Sequence, residues 1–327
     1  MALRWRMLKA RLRIGRMNWL EPLVFPNGSA LPSRIIPGPM EGVTEGSFVE
    51  LFTALQLVDA WFTPFIRISS GVPRLSRFKA RLSPFLSSGL PVIAQLLGTD
   101  CELLAQSAAR LHSLGVLCVD LNCACPSPQV LSSGGGGKRL LQPQWIKDTL
   151  LAMKAAANGR PISIKLRCAY KDIAEMEEIA AAVREASPDL VTCHFRTVQE
   201  MYEPVPDGYE RLAKMHALLG DTPFFGSGDL FTVQDAIRMY DIAQVDGVAP
   251  ARGLMKNPML LREIKLACQG LPTERLQMSS QEKLVFLRKI GQMSGQSKRH
   301  QVFLLKIART MFGEDSQEFR ELVAEIR

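Results

Sequence analysis

Cys118, Cys123 and Cys125 crowd into one stretch, Val116–Leu141, in which an apolar run leads to Cys-Ala-Cys-Pro and then to four glycines, Gly134 to Gly137. A thiol there can ligate a metal, join a disulfide, pack, or react. Zinc wants four ligands in tetrahedral spacing, and Cys123-x-Cys125 has no second Cys or His pair suitably spaced nearby, so no metal is expected. A disulfide across one intervening residue is geometrically awkward. The chain has 7 cysteines, most of them inside apolar runs without the paired loop spacing of a secreted scaffold, which points to a reducing, cytoplasmic setting. Packing and chemistry therefore remain for these thiols.

The elements that must position them are short apolar runs, eight in all: RIIPGPM, AWFTPFIRI, PVIAQLLG, VLCVDLN, PISIKLR, LVTCHFR, PFFGSGD and DGVAPARG. Between most of them lie segments with helical periodicity, such as CELLAQSAARLHSLG and TVQDAIRMYDIA. Near-continuous apolar strands alternating with amphipathic helices imply a parallel sheet covered on both faces. Eight such units predict a closed α/β (β/α)8 TIM barrel over 34–270. After residue 270 three helical segments follow one another without strands, a small all-helical domain over 271–327. Residues 1–33 stand apart as a basic extension carrying Arg4, Arg6, Lys9, Arg11, Arg13 and Arg16, expected to be poorly ordered. A transit segment or an RNA-binding arm is the other way to read that extension.

Composition narrows the partners. Of 327 residues, 47% are hydrophobic and 22% charged, ordinary for a globular protein. No apolar run reaches the ~18 residues that a membrane span needs, so no membrane partner is expected. A net charge of +8 favours an anionic macromolecule. The insert after the second strand carries Arg74, Arg77, Lys79 and Arg81 and no acid, while the middle C-terminal helix carries Lys298, Arg299, Lys306 and Arg309. Both stripes are available to phosphates.

In such a barrel the active site lies at the carboxyl ends of the strands. Those ends are Pro39-Met40-Glu41-Gly42, Gln95, Asn122 with Cys125, Lys165 with Arg167, His194 with Arg196, the turn Ser227-Gly228-Asp229, and Ala251-Arg252-Gly253. Glycine-rich ends of the last two strands are where barrels commonly hold a phosphate.

Taken in order, GPMEGVT, VIAQLLG, DLNCACPSP followed by GGGG, ISIKLR, VTCHFRT, and GSGDL with APARG resemble the motifs of the tRNA-dihydrouridine synthases, over roughly residues 34–327. PMEGV, LNCACPS and the short C-terminal domain are most similar to the C-type subfamily, associated with the uridine at position 16 of the tRNA D-loop. The resemblance implies bound FMN, NADPH or NADH as reductant, tRNA as partner, and reduction of the C5–C6 bond of a uracil base. It implies Cys125 as the acid that protonates C5, and an unperturbed thiol, pKa ~8.5, is protonated at neutral pH as that role requires. The glycine run is expected to let the loop bearing Cys125 close over the base.

By the same resemblance Lys165 stabilises negative charge on the reduced flavin, and Gln95 offers both donor and acceptor to its pyrimidine edge. Asn122 lies near flavin and base, His194 beside the ring or phosphate chain. Pro39 and Met40 form the opening flavin turn. Arg196, Ser227, Gly228, Asp229, Ala251, Arg252 and Gly253 serve the phosphate end, and Lys138 and Arg139 add charge where RNA enters. The chain is expected to act as a monomer.

Three departures fall at the phosphate or ribityl end: Phe195 where glycine is usual, Ser227 for asparagine, and Ala251 for glycine, together predicting weaker FMN retention. Two rivals follow: an FMN-barrel oxidoreductase of a small pyrimidine or enone, and a catalytically impaired RNA-binding homologue. The basic helical tail and the RLSRFKAR insert argue against a small substrate, which needs neither.

Overall fold

The computed structural model describes residues 17–44, 46–273, 276–294 and 298–326. Its centre is a curled parallel sheet whose strands are β3 (Trp61–Phe62), β4 (Ile66–Ile68), β5 (Val92–Gly98), β6 (Cys118–Cys123), β7 (Ile162–Arg167), β8 (Leu190–His194), β9 (Phe224–Ser227) and β10 (Gly247–Val248). They follow β1 (Leu23–Val24) and β2 (Ala30–Leu31), an antiparallel pair outside the sheet. From β5 to β9 each strand pairs its sequence neighbour in parallel, and helices such as Cys101–His112, Pro143–Ala157 and Val233–Ala243 cross outside, the alternation read from the sequence.

Two of the eight units depart from simple strands. The first is reduced to a parallel bridge between Ile35 and Val248, with Ile36 N–H donating to Val248 at 3.1 Å. The second breaks into β3 and β4, both paired to β5. Pro64 between them has no N–H to give the ladder, and the Thr63 hydroxyl takes the Gln95 N–H at 3.1 Å in place of a carbonyl.

Residues 17–33 correct the expectation of a poorly ordered extension. Trp19 is fully buried and its indole donates to the Val245 carbonyl at 2.9 Å. Leu23, Phe25 and Leu31 join Ile36, Ile93, Cys118, Leu190 and Phe225 in one cluster, so the hairpin plugs the amino end of the barrel. Apolar burial of that size outweighs the cost of ordering a short loop. The basic run Arg4–Arg16 lies outside the described residues.

The register fixes the site. β5–β6 pairing aligns Gln95 with Asp120, β6–β7 aligns Asn122 with Lys165, and the next two ladders align Arg167 with His194 and His194 with Ser227. Alternation along each strand sends Asp120, Asn122, Lys165 and Arg167 inward while Leu121, Cys123, Ile164 and Leu166 face the helices. Helices Ser280–Ser294, Lys298–Phe312 and Gln317–Ile326 fold against one side of the barrel, where Phe286 packs edge-on to Phe52 at 5.7 Å and the Ser294 and Ser47 hydroxyls meet.

Candidate active site

A cleft of about 1160 Å³ opens at the carboxyl ends of the strands. Pro39, Met40, Gln95, Asn122, Cys125, Lys165, His194, Ser227, Gly228, Ala251 and Arg252 all line it, and Lys306 reaches it from the C-terminal helices. Residues more than 200 positions apart in sequence thus share one rim.

Cys125 sits just beyond β6, partly buried, with its carbonyl accepting the Gly137 N–H at 3.0 Å. Burial pushes its thiol above the ordinary range, against the pull of Lys165, Arg167 and Arg67, so at neutral pH it keeps its proton. The glycine run, expected to let this loop close over a base, packs tightly behind Cys125. Gly136–Leu141 is a 3-10 turn in which a Cβ on Gly136, at φ +58°, would meet the Cys125 carbonyl at 2.9 Å, and one on Gly137 would meet Val198 at 2.5 Å. These glycines allow close approach that holds Cys125 from behind. Cys118 and Cys123 are fully buried.

Lys165 is only 9% exposed, and its ammonium makes no hydrogen bond among the described residues. Burial first, then Arg167, lowers its pKa to about 8, opposed by Asp120. A buried cation with no hydrogen bond from the protein at the wall of a cleft can take a negative or carbonyl-bearing ligand. His194 is neutral, its pKa pushed well below the ordinary value by burial and by Arg167, Lys165, Arg196 and Arg252. Its Nδ1 accepts the Arg196 N–H at 3.2 Å, which assigns the proton to Nε2 and makes that nitrogen a donor.

Gln95 differs from the expectation of a free donor and acceptor, and it is tied to Asn122. Gln95 Nε2 donates to Asp120 at 2.8 Å and its Oε1 accepts Asn122 Nδ2 at 2.8 Å, while Asn122 Oδ1 accepts the N–H groups of Ala124 and Cys125, each at 3.0 Å. What both amides have left to give is chiefly N–H, so with Lys165, His194 and Arg252 the cleft is a donor-rich cradle. Such a set fits the carbonyls and phosphate of a flavin nucleotide.

The phosphate-end residues divide. Arg196 is buried and does not line the cleft: it clasps Asp229 with two hydrogen bonds, at 3.0 and 2.5 Å, and donates from Nε to Glu203 O. Asp229 also takes Arg252 at 2.5 Å, so Arg196 and Asp229 act as a brace, and of these three only Arg252 lines the cleft. Gly253 is buried, its would-be Cβ 1.9 Å from Leu230 O, a packing position. Ser227 donates its hydroxyl to Ala249 O at 3.1 Å, so that proton is already spent. Phe195 corrects the expectation that it intrudes on the ribityl end: it faces away from the cleft, filling space that Gly208 and Gly228 leave, where a Cβ would come within 2.7 and 2.1 Å of the ring.

The charged residues expected at RNA are likewise sorted. Lys138 lies over the Tyr170 ring at 5.1 Å and Arg139 over Trp145 at 4.4 Å, bonded to Gln142; neither lines the cleft. Lys306 donates to Glu41 O at 3.3 Å on the rim, whereas Arg309 pairs with Glu314 at 2.8 Å away from it. The side chains of Lys298 and Arg299 lie outside the described residues. Arg67, Arg77 and Arg81 also line the cleft, with Arg81 3.5 Å from Glu41, the residue Lys306 reaches too and the one acid among the lining residues.

Sequence reasoning left two neighbours without a role. Arg167 braces the turn by donating to the carbonyls of Ala124, Thr197 and Met201. Tyr202, more than half exposed at the cleft mouth, has Arg252 4.5 Å from its ring. Arg167 was marked only as a strand end and Tyr202 by no local signal, since the roles of both are defined by long-range contacts.

A parallel β/α barrel with a donor-rich, cation-lined cleft at its strand ends is the frame of a flavin-type barrel oxidoreductase. The family model for dihydrouridine synthase (Dus) matches residues 35–326. The chain belongs to the dihydrouridine synthase family, and with that family it is a flavin-dependent oxidoreductase. Similar relatives are the tRNA-dihydrouridine(16) synthases of Haemophilus influenzae, 32% identical over 75% of this chain and 80% of that protein, and of Escherichia coli K12, 33% identical over 71% and 75%. Among solved structures, TcOYE with pHBA superposes with TM-score 0.55 at 11% identity, covering 78% of this chain and 93% of that one. A variant of NCR from Zymomonas mobilis gives 0.53 at 15% identity, covering 81% and 94%. These two speak for the barrel fold.

Proposed function

We propose that this protein forms dihydrouridine in tRNA, at position 16 of the D-loop, with FMN as the bound flavin and NADPH or NADH as reductant. One observation carries the reading: Cys125, Lys165 and His194, each on a different strand end, face one cleft in a chain that belongs to this family. FMN, when bound, supplies the hydride that goes to C6 of the uracil. Cys125 supplies the proton for C5, and the thiolate left behind lies in the field of Lys165, Arg167 and Arg67 until water returns the proton. Lys165 and the Nε2–H of His194 hold the anionic and carbonyl edges of the ring, and Arg252 takes the phosphate. Lys306, Arg67, Arg77 and Arg81, all lining the cleft, hold the RNA backbone beside it.

Dihydrouridine mapped in tRNA from cells with and without the gene tests the substrate. Loss at position 16 alone is expected; full retention there, or loss at another position only, contradicts the assignment.

A further inference from the structure

Beneath the cleft the barrel interior holds a carboxylate to which the reaction above assigns no part. Asp120 is fully buried and accepts both Gln95 Nε2, at 2.8 Å from β5, and the Ser163 hydroxyl, at 2.7 Å from β7. From Gln95 the bonds continue to Asn122 and end on the backbone of Ala124 and Cys125.

This chain has only one workable direction. A backbone N–H can only donate, so Asn122 must turn its oxygen to the Cys125 turn and its NH2 to Gln95. Gln95 must then turn its oxygen to Asn122 and its own NH2 towards β6. Whatever stands at position 120 has to accept there. Flipping either amide would set N–H against N–H and oxygen against oxygen in a buried site, stranding groups that burial makes costly.

We infer that Asp120 is a positioning residue for Cys125: by accepting from Gln95 and Ser163 it locks both amides in one orientation, pins the turn that carries the thiol, and leaves amide N–H groups facing the cleft. Its meaning for catalysis rests on Cys125 being the proton donor; the relay itself does not. Burial raises the Asp120 carboxyl to about 7; the hydrogen bonds from Gln95 and Ser163, and then Lys165 on β7, oppose that rise and favour its charged, purely accepting form. The cysteine turn is thus held from below by three strands, and by Gly137 from behind.

Exchanging the two partners tests this in flavin-loaded protein, by hydrogen exchange of the Ala124 and Cys125 amides, with the helix Val233–Ala243 as a reference for global stability. Gln95→Glu sets two carboxylates face to face and, at a pH too alkaline for them to share a proton, is expected to speed exchange at those amides roughly tenfold with the reference helix unmoved. In Asp120→Asn/Gln95→Glu the new Asn donates to the new Glu, which still accepts from Asn122, so protection should return to within about twofold of the native protein. A double variant exchanging as fast as Gln95→Glu overturns the proposal, as does undiminished protection in Gln95→Glu. Asp120→Leu removes the acceptor without adding charge and serves where Gln95→Glu does not fold; unchanged protection there is equally fatal. Cys125→Ala leaves the relay intact, so full activity in that variant would end the acid reading while these amides stayed protected.

Discussion

Lys165 shows most clearly what burial does to a single group. Its pKa of about 8 lies below the ordinary 10.5 because the folded barrel disfavours the ammonium. Between those values the unfolded chain binds a proton that the folded one does not, so this group's contribution to stability rises with pH across that window. Its help to a reduced, anionic ring works the other way, present while the lysine keeps its proton, which the ring's charge favours, and lost once alkaline pH removes it. Lys165→Met should lower the midpoint potential of the bound flavin by roughly 30–60 mV, one to two powers of ten in the ratio of affinities. Potentiometric titration should show the native protein's advantage over the variant narrowing at alkaline pH, as the lysine loses its proton. An unchanged potential in the variant would remove Lys165 from the ring's neighbourhood. Strand-end Lys165, His194 and Cys125 were legible as site residues because each closes an apolar run. The spent oxygens of Gln95 and Asn122 were not, since they depend on Asp120 and on backbone groups across two strands.

At the scale of elements, the turn behind Cys125 and the loop after β8 depend on close fits. Gly137→Ala would drive a methyl into Val198 and towards the Cys125 carbonyl. It should cost about 1–3 kcal/mol, read as a lower denaturant midpoint, and slow tRNA-dependent oxidation of the reduced flavin by displacing the thiol. Phe195→Ala should cost about 3–5 kcal/mol by emptying the space between Gly208 and Gly228, measured the same way; native-like stability would contradict its packing role. That role was partly readable: if His194 points into the barrel, its neighbour must point out. Arg196 was not readable, because its partner Asp229 lies 33 positions away on the next strand end. The split second strand was hidden inside one apolar run, with Pro64 its only mark.

For the whole molecule, the alternating runs announced the barrel, and the helical tail announced itself by the loss of strands. The packed hairpin at 17–33 went unseen because the arginines before it dominated the composition, although Trp19, Leu23, Phe25 and Leu31 are apolar enough to close a barrel floor. With Arg67, Arg77, Arg81, Arg252 and Lys306 lining the cleft against one acid, Glu41, tRNA binding should be an electrostatic event. Lys306→Ala should flatten the slope of log K against log salt by about 1 in filter binding, whereas Arg309→Ala, already paired to Glu314, should change it little. Equal effects from both would move the RNA path off the cleft. The central claim, that one thiol faces a base across a shared cleft and gives it a proton, is tested most directly by single-turnover oxidation of the pre-reduced flavin by tRNA in Cys125→Ala. Flavin reduction by NADPH should proceed normally and tRNA-dependent reoxidation should fall by roughly 100-fold or more; reoxidation at the native rate would contradict the account.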